Sequence, residues 1–189
     1  MKYLELQRLV ALPFFTYADT CKLFPLASST EIKTQLSRFV AKGYTRRLMR
    51  GVYVFADRQY DEYCIARLIQ PHSYISLETA LSFYGMIPDV PQTITSIGGG
   101  TRKKSYSISN VVYTFTPLKS SFHYGHITQG DRKKGYYTIA CREKALLDYI
   151  YIRKIRSLAE MRIDVSQIDK DVYYRYRADY PLWIQKIQI

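Results

Sequence analysis

The sequence predicts an α+β chain in two parts: a helical N-terminal segment closed by a hairpin, and a second domain in which strands cluster between helices. Three observations lead there. Between Phe15 and Phe55, capped helices run directly into a basic β-hairpin. Beyond about Asp61, helical and extended patterns mix. The strands of this second part gather in its middle, which favours an antiparallel sheet with flanking helices over a βαβ array.

The first element is KYLELQRLVALP, where Leu4, Leu6, Leu9, Val10 and Leu12 describe a helix with an apolar side and Pro13 ends it. Thr16 then caps a helix over about Tyr17 to Phe24, with Asp19 in its first turn and Pro25 as its stop. The best-specified helix follows. Ser28 and Glu31 stand at capping-box spacing and Gly43 supplies the C-terminal signal, so its limits are about Ser29 to Lys42. At 3.6 residues per turn, Ile32, Leu36, Phe39 and Val40 fall on one face and should pack on the preceding helices. Tyr44–Leu48 and Val52–Phe55 are β-prone runs bracketing Met49-Arg50-Gly51, a reversal suited to a tight hairpin. Three helices followed by a two-stranded ribbon is the order of a winged helix-turn-helix.

The polar side of the third helix is chemically suited to duplex DNA. Thr30, Thr34, Ser37 and Arg38 point away from the apolar stripe, with Lys33 and Gln35 on its flanks; short hydrogen bonders and long cations are the groups that read base edges and phosphates in a major groove. Lys42, Arg46, Arg47 and Arg50 continue the positive charge through the helix end and the hairpin, where they can hold a phosphate backbone. A solvated helix face and an ordinary basic turn are the plainer readings of each feature alone.

Composition agrees with a polyanionic partner. Lys and Arg number 28 against 16 acidic residues, a net charge of +12 with a pI near 9.6. The first sixty residues hold ten basic and four acidic side chains, half of the excess. No apolar run is long enough to span a bilayer and no signal-peptide pattern opens the chain, so a soluble cytoplasmic protein is expected. Cys21, Cys64 and Cys141 are odd in number and widely spaced, which speaks against a disulfide framework or zinc and for buried thiols. The 19 tyrosines could stack on unpaired bases, but half-buried packing positions are the better reading.

A domain boundary near Ala56 to Tyr60 divides the chain into residues 1–57 and 58–189. In the second part, about Asp61 to Leu68 reads as a helix, and SYISLETALSFYGMI carries another, with Ser76 as its candidate cap, Thr79 in its first turn and Gly85 as its end. Strands are expected at Thr93–Ile97, Val111–Phe115, Phe122–Ile127 and Tyr136–Cys141. REKALLDYIYIRK restores a helical period through Ala145, Leu146, Tyr149 and Ile150. GGGTRKK and Gly130–Gly135 read as two cationic hairpin ends. GGGTRKK lacks the spacing of a phosphate-binding loop.

SYISLETALSFYGMIPDVPQTITSI and REKALLDYI resemble the C-terminal domain of AbiEi-type antitoxins, from type IV toxin–antitoxin systems. The segment ending in the Arg50-Gly51-Val52-Tyr53 wing resembles their winged-helix domain. The resemblance reaches to about Lys154. It implies a transcriptional autorepressor that binds its own promoter as double-stranded DNA, and that opposes a nucleotidyltransferase-like toxin without forming a stable complex with it. No cofactor, metal site or catalytic residue is expected. His123 and His126, three apart on or near a strand, would face opposite sides. Glu78, Glu143 and Asp148 are the carboxylates a metal nuclease would need to bring together; helix-end charge explains them adequately. A nucleic-acid enzyme or RNA-binding module with its activity in the second domain is the alternative, and a ligand-sensing regulator a third.

Overall fold

The computed structural model describes residues 1–158 and 161–189 as a mixed α+β chain. It divides into two compact units: Met1–Cys64 with Gly130–Tyr136, and Ile65–Gln129 with Tyr137–Ile189.

In the first unit the order is α1 (Tyr3–Leu9), β1 (Phe14–Thr16), α2 (Tyr17–Leu23), α3 (Ser29–Ala41), β2 (Thr45–Met49) and β3 (Val52–Phe55). Thr16 caps α2 by accepting from the Asp19 N–H, and the Asp19 carboxylate accepts from the Thr16 N–H in return. Ser28 and Glu31 make the same reciprocal box on α3. At the other end of α3, Gly43 takes φ +72, which only glycine adopts without strain. The Tyr44 N–H then reaches the Phe39 carbonyl, the Gly43 N–H reaches the Val40 carbonyl, and the Tyr44 ring packs on Phe39, so two of the orphan carbonyls at this helix end are satisfied.

Leu6, Val10, Phe15, Ile32, Leu36, Phe39 and Phe55 form the core of this unit. Two expectations are corrected here. The first helix ends at Leu9, well before Pro13, and of its apolar residues only Leu6 and Val10 are buried; Leu4 and Leu9 stay more than half exposed. Val40 is 37% exposed rather than packed, because an i, i+4 row drifts by about 40° per step and the third member leaves the core face. β1 is a strand that the local sequence does not announce. Phe14-Phe15-Thr16 pairs antiparallel with β3, Phe14 opposite Val54 and Thr16 opposite Val52, giving a three-stranded sheet in the order β1-β3-β2.

The remaining elements are α4 (Tyr63–Ile69), β4 (Tyr74–Ile75), α5 (Leu77–Phe83), β5 (Thr93–Gly98), β6 (Lys104–Ile108), β7 (Val111–Pro117), a short 3-10 turn (Ser120–Phe122), β8 (His126–Asp131), β9 (Gly135–Ala140), α6 (Arg142–Arg153), α7 (Lys170–Arg177) and α8 (Leu182–Gln185). Six strands line up as β6-β7-β5-β4-β9-β8. The sheet is mixed, not antiparallel as expected: β5 runs parallel to β7 and β4 parallel to β9. β4 and β5, joined through α5, pair antiparallel, whereas the partners in each parallel pair are separated by further elements, β6 between β5 and β7 and the whole stretch from α5 to β8 between β4 and β9, which gives the chain the length a parallel return needs.

Two further corrections follow from local chemistry. The expected strand at Phe122–Ile127 is broken: Phe122 turns inward to stack on Tyr180 at 4.6 Å and Gly125 takes φ +67, so extended structure resumes only at His126. GGGTRKK is not a hairpin end, since β5 and β6 are not neighbours. The hairpin in this region joins β6 to β7 through Ser109-Asn110, both at positive φ as a two-residue turn of this kind requires.

Candidate nucleic-acid interface

Thr30, Lys33, Thr34, Ser37 and Arg38 are all exposed on α3, and Lys42 caps its end. Lys33, Thr34, Ser37, Arg38 and Ala41, spaced along one stripe of the helix, line a surface depression of 450 Å³. Arg46 and Arg47 on β2 and Arg50 in the turn are exposed as well. All nine residues singled out from the sequence therefore belong to the surface of the first unit.

The helix and the hairpin tip are tied together by a residue that the sequence reading used only to mark where α2 begins. The backbone N–H of Tyr17 donates to the Gly51 carbonyl at 2.8 Å, which fixes the tip of the β2–β3 hairpin against the start of α2. The Lys33 ammonium lies 5.6 Å from the centre of the Tyr17 ring, within the range of cation–π attraction. Tyr17 thus has the hairpin tip on its backbone side and the polar face of α3 on its ring side. Gly51 itself sits at φ +78 with the Tyr17 Cβ 3.9 Å from where its own would be; a side chain there would strain the tip. The ladder between β2 and β3 slips between Arg47 and Met49, a bulge that adds twist just before the tip. The Arg47 Nε donates to the Met49 carbonyl at 3.4 Å across that bulge.

Arginine on β2 has a second physical role, because β2 is an edge strand and charge there discourages pairing with another chain. Arg58, by contrast, is withdrawn from any interface. Its guanidinium donates to the carbonyls of Gln7, Val10 and Leu12 at 2.7–2.8 Å and covers the Phe55 ring at 4.3 Å. It closes the C-terminal end of α1, so one of the ten basic residues in the first sixty is structural.

The turn between β8 and β9 also belongs to the first unit. The Asp131 carboxylate accepts from the Lys133 and Lys134 N–H groups at 2.7 Å each, which holds its pKa below the usual carboxylate range and leaves Arg132, Lys133 and Lys134 exposed. The Lys134 carbonyl accepts from the Asp61 N–H. Gly135 is confined by the Phe14 ring and the Cys64 sulfur, 2.6 and 2.8 Å from where a Cβ would stand.

The second unit buries its chemistry. Lys144 and Asp148, one turn apart on α6 and fully buried, form an ion pair. Asp148 also accepts from the hydroxyls of Tyr180 at 3.0 Å, Tyr74 at 3.0 Å and Ser76 at 2.8 Å. Burial holds the Lys144 pKa below its ordinary value even with Asp148 beside it, and pushes both tyrosine hydroxyls strongly up. Helix-end charge therefore does not explain Asp148, as the sequence reading had it; the residue is the acceptor at the centre of a closed polar network. Ser76 stands at the start of α5, but its hydroxyl serves Asp148 rather than the helix cap. Glu143 accepts from the Asp169 N–H at 3.0 Å and Glu78 pairs with Arg153, so these three carboxylates are each engaged with separate partners.

His123 and His126 do not sit on opposite sides of a strand. Because Gly125 bends the chain between them, both imidazoles reach the Tyr74 ring, at 5.8 and 4.9 Å. Among the described residues no group of three His, Cys, Asp or Glu side chains is placed to hold a metal. The three cysteines are free; Cys64 is buried, but Cys21 and Cys141 are only half-buried, less than expected. Burial pushes the Cys64 thiol up to about 12 and that of Cys141 to about 11. No helix among the described residues is long and apolar enough to cross a membrane. No protein-family model matches the chain, and no curated protein matches it.

Proposed function

We propose that the first unit is a winged helix-turn-helix that binds double-stranded DNA, with α3 in the major groove and the β2–β3 hairpin as a wing along the backbone. The observation that carries this reading is the Tyr17 link: the cationic, hydroxyl-rich face of α3 and the arginine-bearing tip flank one residue, so a single duplex can meet both. In this reading Thr30, Thr34, Ser37 and Arg38 contact bases or nearby phosphates, and Lys33, Lys42, Arg46, Arg47 and Arg50 hold the backbone. Free hydroxyls and cations on a helix that is otherwise well packed are what direct readout needs.

With the likeness of SYISLETALSFYGMI and REKALLDYI to AbiEi-type antitoxins, this becomes a cytoplasmic autorepressor and antitoxin. It binds its own promoter and opposes a nucleotidyltransferase-like toxin encoded beside it. The test has two arms. A gel-shift series on the DNA upstream of the gene should give a retarded complex that a scrambled duplex of equal length competes away poorly; equal competition would sink sequence-specific repression. Induction of the neighbouring reading frame should arrest growth, and co-expression of this chain should restore it. A neighbour unlike a nucleotidyltransferase removes the antitoxin role and leaves the DNA-binding role standing.

A further inference from the structure

The C-terminal end of the second unit carries a recess that the duplex reading does not use. It encloses 380 Å³ and is lined by Tyr151, Ile152, Lys154, Arg156 and Trp183. The rings of Tyr151 and Trp183 are nearly parallel, 15° apart with centroids separated by 6.4 Å. The Arg156 guanidinium lies over Trp183 at 4.3 Å.

The platform is held from behind. Tyr151 is braced edge-on by the buried rings of Phe122 at 5.6 Å and Tyr180 at 5.8 Å. Trp183 is carried on α8, whose neighbours Ile184 and Ile187 are buried. Ring faces that are already fixed lose little freedom when a further planar group stacks on them. Lys154 ends α6 in the left-handed conformation, φ +55 and ψ +38, unusual for a side chain of that size. That turn lets Lys154 and Arg156, both exposed, line the same recess. Arg153 is not part of this set, since it pairs with Glu78.

Fixed parallel aromatic faces beside two cations are the chemistry that accepts a base and its phosphate together. We infer that the Tyr151–Trp183 recess binds an unpaired nucleobase, stacking the base on the rings and holding its phosphate with Lys154 and Arg156. The base can come from a single strand or from a free nucleotide. A base stacked between its neighbours inside a duplex presents no free face to such a platform; only the terminal pairs do.

Trp183 is the sole tryptophan, so its fluorescence reports the recess directly. The full chain is titrated with hexathymidylate, thymidine monophosphate and a long blunt duplex, which stays paired and has few terminal faces, at one salt concentration. Quenching by either of the first two, with the duplex weaker, is the expected result, and the tighter of the two names the source. Arg156→Ala and Lys154→Gly, the latter keeping the left-handed turn, should each weaken binding by about tenfold or more, with the far-ultraviolet circular dichroism unchanged. The Arg38, Arg47 and Arg50 triple alanine variant should still be quenched. Absence of quenching, equal quenching by the duplex, or quenching indifferent to Arg156→Ala and Lys154→Gly would overturn the inference.

Discussion

Each unit of this chain has one dense polar cluster, and the two clusters lie in opposite environments. In the first, nine cations and hydroxyl-bearing residues on α3 and the β2–β3 hairpin face solvent, and neither the Lys144–Asp148 nor the Arg153–Glu78 pair includes one of them. In the second, a lysine and an aspartate lie wholly inside, where Asp148 gathers a cation and three hydroxyls. Charge left in water at one site is available to a polyanion at little desolvation cost. Charge taken into a core is committed to the fold, because losing one partner strands the other. The difference separates residues whose removal should change binding from those whose removal should change stability.

The sharpest way to break that division lies in the core. Asp148→Ala leaves a buried ammonium and three donors without their acceptor, and should lower the unfolding free energy by about 3–5 kcal/mol, read from urea denaturation. A stability equal to that of the parent chain would mean that the network is not structural. Next comes Arg38→Ala, which should lower the preference for the cognate duplex by about 1–3 kcal/mol while leaving urea stability alone. A variant that unfolds more easily but still discriminates would place Arg38 on the wrong side of the comparison.

Smaller effects sharpen the picture at the caps and thiols. Ser28→Ala removes the acceptor for the first turn of α3 and should cost about 1 kcal/mol. Glu31, in the same box, has its carboxyl held below the usual range by the Ser28 N–H and hydroxyl. A depressed folded-state pKa contributes stability above the unfolded value and loses it as pH falls through the folded one. An acid titration of helicity should therefore show a loss below the ordinary carboxylate range that Glu31→Gln lacks; identical curves would count against the box. Smallest is a labelling difference: at pH 8 iodoacetamide should leave Cys64 and Cys141 unmodified in the folded chain and reach both in urea, since burial holds their thiols at about 12 and 11.

The sequence made the surface unit legible because its signals are local. Capping boxes at Thr16 and Ser28, the glycine after α3 and the β-prone run Val52–Phe55 each act within a few residues, and exposure of the polar face follows from helical period alone. What was hidden depends on distant partners. Phe14–Thr16 is too short to be read as a strand without β3 beside it. Arg58 looks like surface charge until three carbonyls of α1 and its following turn are found around it. Asp148 reads as helix-end charge because nothing along the chain announces that Lys144, Tyr74, Ser76 and Tyr180 will enclose it. The Tyr17 link was equally invisible, since it rests on a backbone carbonyl 34 residues away in the hairpin. Parallel pairing in the larger sheet is non-local in the same sense.

DNA binding as proposed requires α3 and the hairpin to grip one duplex together. The most direct test is the salt dependence of binding to the upstream duplex, for the parent chain and for the Arg38, Arg47 and Arg50 triple alanine variant. Each phosphate contact contributes about 0.9 to the slope of log K against log salt, so the variant should bind more weakly with a slope shallower by about 2. An unchanged slope and affinity would contradict the assignment of this face to DNA.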